Sequence, residues 1–142
     1  MSPLIAVHLA ATLFMTGLIW FVQVVHYPLF ARVGESTFAQ FEAQHQRRTT
    51  WVVAPAMLTE LFSGVLLVLI PQEAVPPWAA WLGLGLIVCL WASTFFIQVP
   101  LHRSIERGFD LRTIRRLSMT NWLRTALWSA RSMVLLWVLV IE

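Results

Sequence analysis

The chain has 142 residues, 58% of them apolar, and a mean hydropathy of +0.72, too apolar for a soluble domain of this size and suited to four membrane spans with short connections. All ten basic residues are arginine; the net charge is +3, and most of it sits in two connecting stretches, so it reports topology rather than nucleic-acid binding. The single cysteine, Cys89, excludes an intrachain disulfide and a four-cysteine zinc site, and its apolar run predicts inert core packing.

In chain order, the first span is expected over 4–25. The N-terminus lacks a basic region and a small-residue cleavage site, so this segment reads as a retained span, not a signal peptide. His26-Tyr27-Pro28 is expected to end it, because proline removes a donor and biases the preceding residue away from helix. Thr37 is the expected N-cap of the next helix, with Gln40 as its capping-box partner. That helix runs from Phe38 through Arg48 into a second span over 51–70, with a kink expected near Pro55. The connection 71–77 carries three prolines and is turn-like. The third span covers 78–99, and Pro100 is expected to bend its end. The stretch 102–119 is polar and arginine-rich, with a break at Gly108, and the fourth span covers 122–141. The expected fold is an all-α integral membrane protein: one domain over 1–142, an antiparallel bundle of four transmembrane helices.

The arginines orient it. Arg32, Arg47 and Arg48 lie between the first and second spans, and Arg103, Arg107, Arg112, Arg115 and Arg116 between the third and fourth. The other side carries only Glu73 and Glu142. By the positive-inside rule both basic connections are cytoplasmic and both termini lie outside. Trp51 and Trp122 then mark the inner interface, and Trp78, Trp81 and Trp137 the outer one.

Against this frame the polar residues within the spans stand out. At about 100° per residue, Asn121, Arg124, Trp128 and Arg131 share one stripe of a helix. A guanidinium in hydrocarbon costs about 2.5–3.5 kcal/mol on insertion scales, so it needs an acid, an anion or a wet cavity. Glu60 lies nine residues beyond Trp51, and Arg131 nine beyond Trp122, each about 13 Å deeper. The two spans run in one direction, so Glu60 and Arg131 are expected to turn inward and pair. The pair serves either packing alone or a catalytic ligand or proton site, with Glu60 as counter-ion or proton acceptor and Arg131 holding an anion.

A second polar layer is expected at the inner end, from Gln23, His26, Gln98, His102, Asn121 and Arg124. Histidine is the commonest metal and haem ligand near neutral pH. His26 and His102 best meet the depth condition for a shared haem or transition metal. His45 falls about 9 Å below Trp51 and needs a tilt or break to join them. Arg124, with Asn121 and Gln98 beside it, could hold the anionic part of a cofactor. Glu42-Ala-Gln-His45 fits one Glu-x-x-His element of a di-iron bundle, but such sites need two, so a di-iron site is rejected. His8 stands apart, eighteen residues before His26; it either caps an access path or bonds a carbonyl in the core.

Several strings resemble a family of small, uncharacterised bacterial four-span membrane proteins: Trp20-Phe-Val-Gln23 with His26-Tyr-Pro-Leu-Phe30; His45 with Pro55, Met57 and Glu60; Gln98-Val-Pro-Leu-His102; and Asn121-Trp-Leu-Arg124 with Trp128 and Arg131. The resemblance implies the architecture and a place in the bacterial inner membrane, not a reaction. Span 1, with His8 near its start and tryptophan after it, is similar to that of four-span haem-binding protoporphyrinogen oxidases. Anthrone-oxygenase-like membrane proteins share the size.

Three functions are compatible with these residues. The first is a cofactor site open to the cytoplasm, with haem or a metal ion, making a small oxidoreductase. The second is a binder or carrier of a small anion, lipid or quinone. The third is a structural or assembly subunit whose charges only specify packing. Four helices leave little room for a lumen, so a pore would need a homo-oligomer.

Overall fold

In the computed structural model, which describes residues 1–141, the chain is all-helical. Four of its helical stretches are long and apolar enough to cross a membrane: Pro3–Phe30, Glu35–Leu69, Pro77–Glu106 and Leu111–Val140. Glu142, counted above with the sparse charges of one side, lies outside the described residues.

The first stretch starts as α1 (Pro3–Phe21), capped by the Ser2 hydroxyl, which accepts from the Ile5 N–H at 3.4 Å. It does not end at His26-Tyr27-Pro28, as the proline had suggested. It passes through a π-helical segment, Val22–His26, into α2 (Tyr27–Phe30). The third stretch repeats the device: α4 (Pro77–Ser93), a π segment over Thr94–Gln98, then α5 (Val99–Glu106). Pro28 and Pro100 would each clash with the carbonyl four residues before them in a regular α-helix. The wider turn relieves that clash: Tyr27 N–H reaches back to Val22 O, and Val99 N–H to Thr94 O. Both helices therefore extend well past the boundaries expected from their prolines.

The second stretch is one helix, α3 (Glu35–Leu69), with Pro55 inside it. Its N-cap is Gly34, not Thr37; the Thr37 hydroxyl instead bonds the Gly34 carbonyl at 3.1 Å. The last helix, α6 (Leu111–Ile141), starts eleven residues before Trp122. Gly108, at φ 157°, makes the expected break. Asp110 accepts from the backbone N–H groups of Arg112 and Thr113 at 3.1 and 3.3 Å, filling donors the helix start leaves open.

α1 packs on α3 and α6, and α4 packs on the same two helices. The larger apolar core includes Met15, Phe30, Phe38, Met57, Leu90 and Trp128, and a smaller one forms around Ile5, Leu67 and Val138. Trp51, Trp78, Trp81, Trp122 and Trp137 are all exposed. Cys89 is exposed too, not in the core. Apolarity alone cannot separate core-facing from outward-facing positions on a helix that is apolar all round.

Candidate functional site

The α6 stripe faces inward as its spacing predicts: Asn121, Arg124, Trp128 and Arg131 are all buried. Around it the polar side chains form two layers.

In the layer nearer the chain termini, Arg131 and Glu60 form the expected ion pair, each at most 3% exposed. The pair has further partners. Trp128 donates its indole N–H to Glu60 Oε2 at 2.9 Å. The other arm of Arg131 lies 3.1 Å from His8 Nε2, and His8 Nδ1 lies 2.7 Å from the Ser63 hydroxyl. His8 is buried, as its core alternative expected, but its partners are side chains rather than a carbonyl, and it orients the guanidinium. The signal in the sequence was the stripe His8, Thr12, Thr16, one helical turn apart each time. Thr12 lies 3.5 Å from Arg131, and the Thr16 hydroxyl 2.7 Å from that of Ser132. Gly64 allows the close approach here: a Cβ on it would stand 2.6 Å from Ile87 Cδ1 and 3.4 Å from His8 Cε1.

The second layer lies toward the two basic turns. Glu42, fully buried, accepts from His102 Nδ1 at 2.5 Å, and Tyr27 Oη lies 3.0 Å from His102 Nε2. His45 Nδ1 lies 2.9 Å from His26 Nε2 and 3.1 Å from the Thr49 hydroxyl. The rings of His26, His45 and His102 form a row with His45 in the middle, 4.7 Å from His26 and 5.5 Å from His102 between centroids. His45 joins them without a break in α3. Phe30, fully buried, packs edge-on against His26 and His45.

Glu42, His45 and His102 offer donor atoms that all lie within 4.8 Å of one another, a group that could hold a metal ion. His26, one of the two residues expected to ligate, is not in it; its ring bonds His45 instead. The expected haem pair, His26 with His102, does not face across an open gap: the His45 ring lies between them, and His26 bonds His45 while His102 bonds Tyr27 and Glu42. Nor do His26 and His45 share an ion between their facing nitrogens, which are hydrogen-bonded at 2.9 Å, closer than two metal bonds of about 2 Å each would set them. Sequence reasoning also missed Tyr27, read only as part of a helix end, and the part of Glu42 outside a di-iron pattern.

Between the layers lies a cavity of about 270 Å³. Its wall is largely apolar, with Met15, Ile19, Met57 and Trp91, and its polar rim includes Tyr27, His45, Gln46, Gln98, His102 and Arg124. Three rim residues carry buried polar atoms without a partner: Gln46 Nε2, Gln98 Oε1 and Arg124 Nε. Arg124 is 6% exposed, and among the described residues no carboxylate pairs with it. Its NH1 donates to Asn121 Oδ1 at 3.2 Å, Asn121 donates to Gln23 Oε1 at 3.0 Å, and its guanidinium lies over the Trp128 ring. Glu60 and Arg131, expected at the site, do not line this cavity. Gln98, also expected there, donates to the Thr120 hydroxyl at 3.1 Å and keeps its carbonyl free for the cavity.

No family model matches the chain, and no curated protein or solved structure matches it significantly.

Proposed function

We propose that the chain is a multi-pass protein of the bacterial inner membrane, an antiparallel four-helix bundle that binds a small apolar molecule through an anionic or acceptor head group. The basic turns face the cytoplasm and both termini lie outside, by the positive-inside rule. A fatty carboxylate and a quinone share the required chemistry: an apolar body for the cavity wall and an oxygen acceptor for Arg124.

The observation that carries this reading is Arg124, a buried guanidinium with no carboxylate partner among the described residues. A guanidinium has five N–H donors. Asn121 takes one of them, the Tyr27 hydroxyl stands beside the group, and the indole of Trp128 offers only a ring face; among the described residues no carboxylate answers the charge. A buried charge without a counter-ion is among the costliest features a fold can keep, more so in hydrocarbon. Arg131, one layer away, illustrates the alternative, with Glu60 opposite it. The open carbonyl of Gln98 and amide of Gln46 add polar groups converging on an apolar cavity, the usual make-up of a small-molecule site. The resemblance to small bacterial four-span proteins fits this architecture. The Glu60–Arg131 pair, with Trp128 on its carboxylate and His8 beside its guanidinium, serves packing in this reading.

The test is thermal unfolding of the purified protein with dodecanoate, with dodecanol and with a short-chain quinone. A true ligand at a hundredfold excess over its Kd stabilises by about 2.7 kcal/mol. Dodecanoate or the quinone should stabilise the wild type and not a folded Arg124→Gln variant; dodecanol should do little. Stabilisation by dodecanoate alone identifies the carboxylate, by the quinone alone the carbonyl. No stabilisation by either, or stabilisation that survives Arg124→Gln, overturns the reading.

A further inference from the structure

We infer that Glu42, His45 and His102 form a binding site for a divalent first-row transition ion, with one open coordination position facing the cavity. This does not rest on the organic ligand proposed above.

The donor set comes first. Two imidazoles and one carboxylate are a combination that holds zinc or ferrous iron while leaving room for water or another small ligand. The three donors lie within 4.8 Å of one another and come from two helices, α3 and α5, so a single ion would tie them together.

The orienting bonds come second, and they point the same way. Metal-bound histidine characteristically engages its second ring nitrogen with a neighbouring polar group, which sets the tautomer and the ring plane. His45 Nδ1 is engaged by His26 and Thr49, which leaves Nε2 as its ligating nitrogen. His102 Nε2 is engaged by Tyr27, so its ligating nitrogen would be Nδ1, where the ion would displace the proton now donated to Glu42 Oε1. Glu42 Oε2 is buried and has no partner at all, an orphan acceptor in a fully buried carboxylate. Such an atom is costly to leave unpaired, and a cation bound between the histidines would satisfy it.

The third observation is location. His45 and His102 both line the cavity while Glu42 stays outside it. An ion held by all three therefore lies at the cavity edge, with protein on the Glu42 side and free space on the other. His26, Thr49 and Tyr27 are positioning residues.

Untagged protein, stripped with a chelator and kept in detergent, is titrated with Zn²⁺ and with Co²⁺ against a chromophoric chelator. The expected result is one ion per chain, with a Co²⁺ visible spectrum of nitrogen ligation. His26→Ala should weaken binding by about 10–100-fold, the usual cost of removing an orienting partner. His45→Ala and Glu42→Gln should each weaken it further than that. Azide should alter the Co²⁺ spectrum, reporting the open position. Circular dichroism and thermal unfolding identify any variant that misfolds. His45→Ala keeps the test decisive if Glu42→Gln does not fold, because His45 is only half-buried. Folded wild type that binds neither ion, or a folded His45→Ala that binds as tightly as wild type, overturns the site. An unaltered spectrum with azide overturns the open position.

Discussion

Arg124 stands over Trp128 one turn along α6, its guanidinium carbon 5.3 Å from the indole centroid. The same indole donates its N–H to Glu60. Trp128 therefore separates the two arginines of the stripe. On one side is an ion pair; on the other is a cation with a ring face, the Asn121 amide and the Tyr27 hydroxyl around it and no carboxylate among the described residues. A desolvated cation over an indole gains about 2 kcal/mol, which offsets part of the burial of Arg124 without neutralising it.

Trp128→Phe keeps an aromatic face under Arg124 and removes the donor to Glu60. Leaving that carboxylate oxygen unpaired should cost about 1–3 kcal/mol, read as a lower unfolding temperature. A Trp128→Phe protein as stable as wild type would mean that the indole bond contributes nothing.

Glu60→Gln or Arg131→Met alone strands the partner charge in the interior and should destabilise by about 3–5 kcal/mol. The double variant should recover much of that loss, because the stranded charge goes with it. Purely additive losses in equilibrium unfolding would count against the pair as the organising contact of its layer.

Gly64→Ala drives a methyl group into Ile87, itself almost fully buried. Overpacking of this kind costs about 1–3 kcal/mol. The companion variant Gly64→Ala with Ile87→Val, which removes the clashing carbon, should regain stability in the same unfolding measurement. If it does not, backbone approach rather than Ile87 limits the site.

Asp110 opens α6 outside the spans. The Thr113 hydroxyl, and after it the backbone N–H groups of Thr113 and Arg112, hold its carboxyl below the ordinary aspartate value of 3.8. A folded-state pKa below the unfolded one adds stability that is complete above the unfolded pKa and is lost as pH falls through the folded value. The stability difference between wild type and Asp110→Ala should therefore be constant near neutral pH and shrink only in acid. A difference that grows on acidification would contradict the cap.

The topology has its own check. In a Cys89→Ser background, cysteine placed at Glu73 should react with an impermeant thiol reagent from outside intact cells. Cysteine placed at Arg107 should react only after the membrane is opened. Labelling of both from one side would refute the bundle orientation.

Much of this was legible before any coordinates. Long apolar runs with few turns force helices, because backbone groups in hydrocarbon must be satisfied within their own segment. The Glu60–Arg131 contact followed from depth alone, since two parallel rises of nine residues end at one level and a buried charge needs its opposite. The inward face of α6 followed from the spacing of Asn121, Arg124, Trp128 and Arg131. What only the tertiary structure decided was how far the helices run and what meets at their ends. A proline reads as a stop; here two π turns absorb Pro28 and Pro100, the helices run on past them, and His26 and His102 meet His45. Which donors then share a group depends on angles of rotation that a residue string does not encode. So Glu42 rather than His26 joins His45 and His102, His8 reaches Arg131, and Cys89 faces outward. Hydropathy orders residues by depth along one axis, whereas a site is made in the two directions across it.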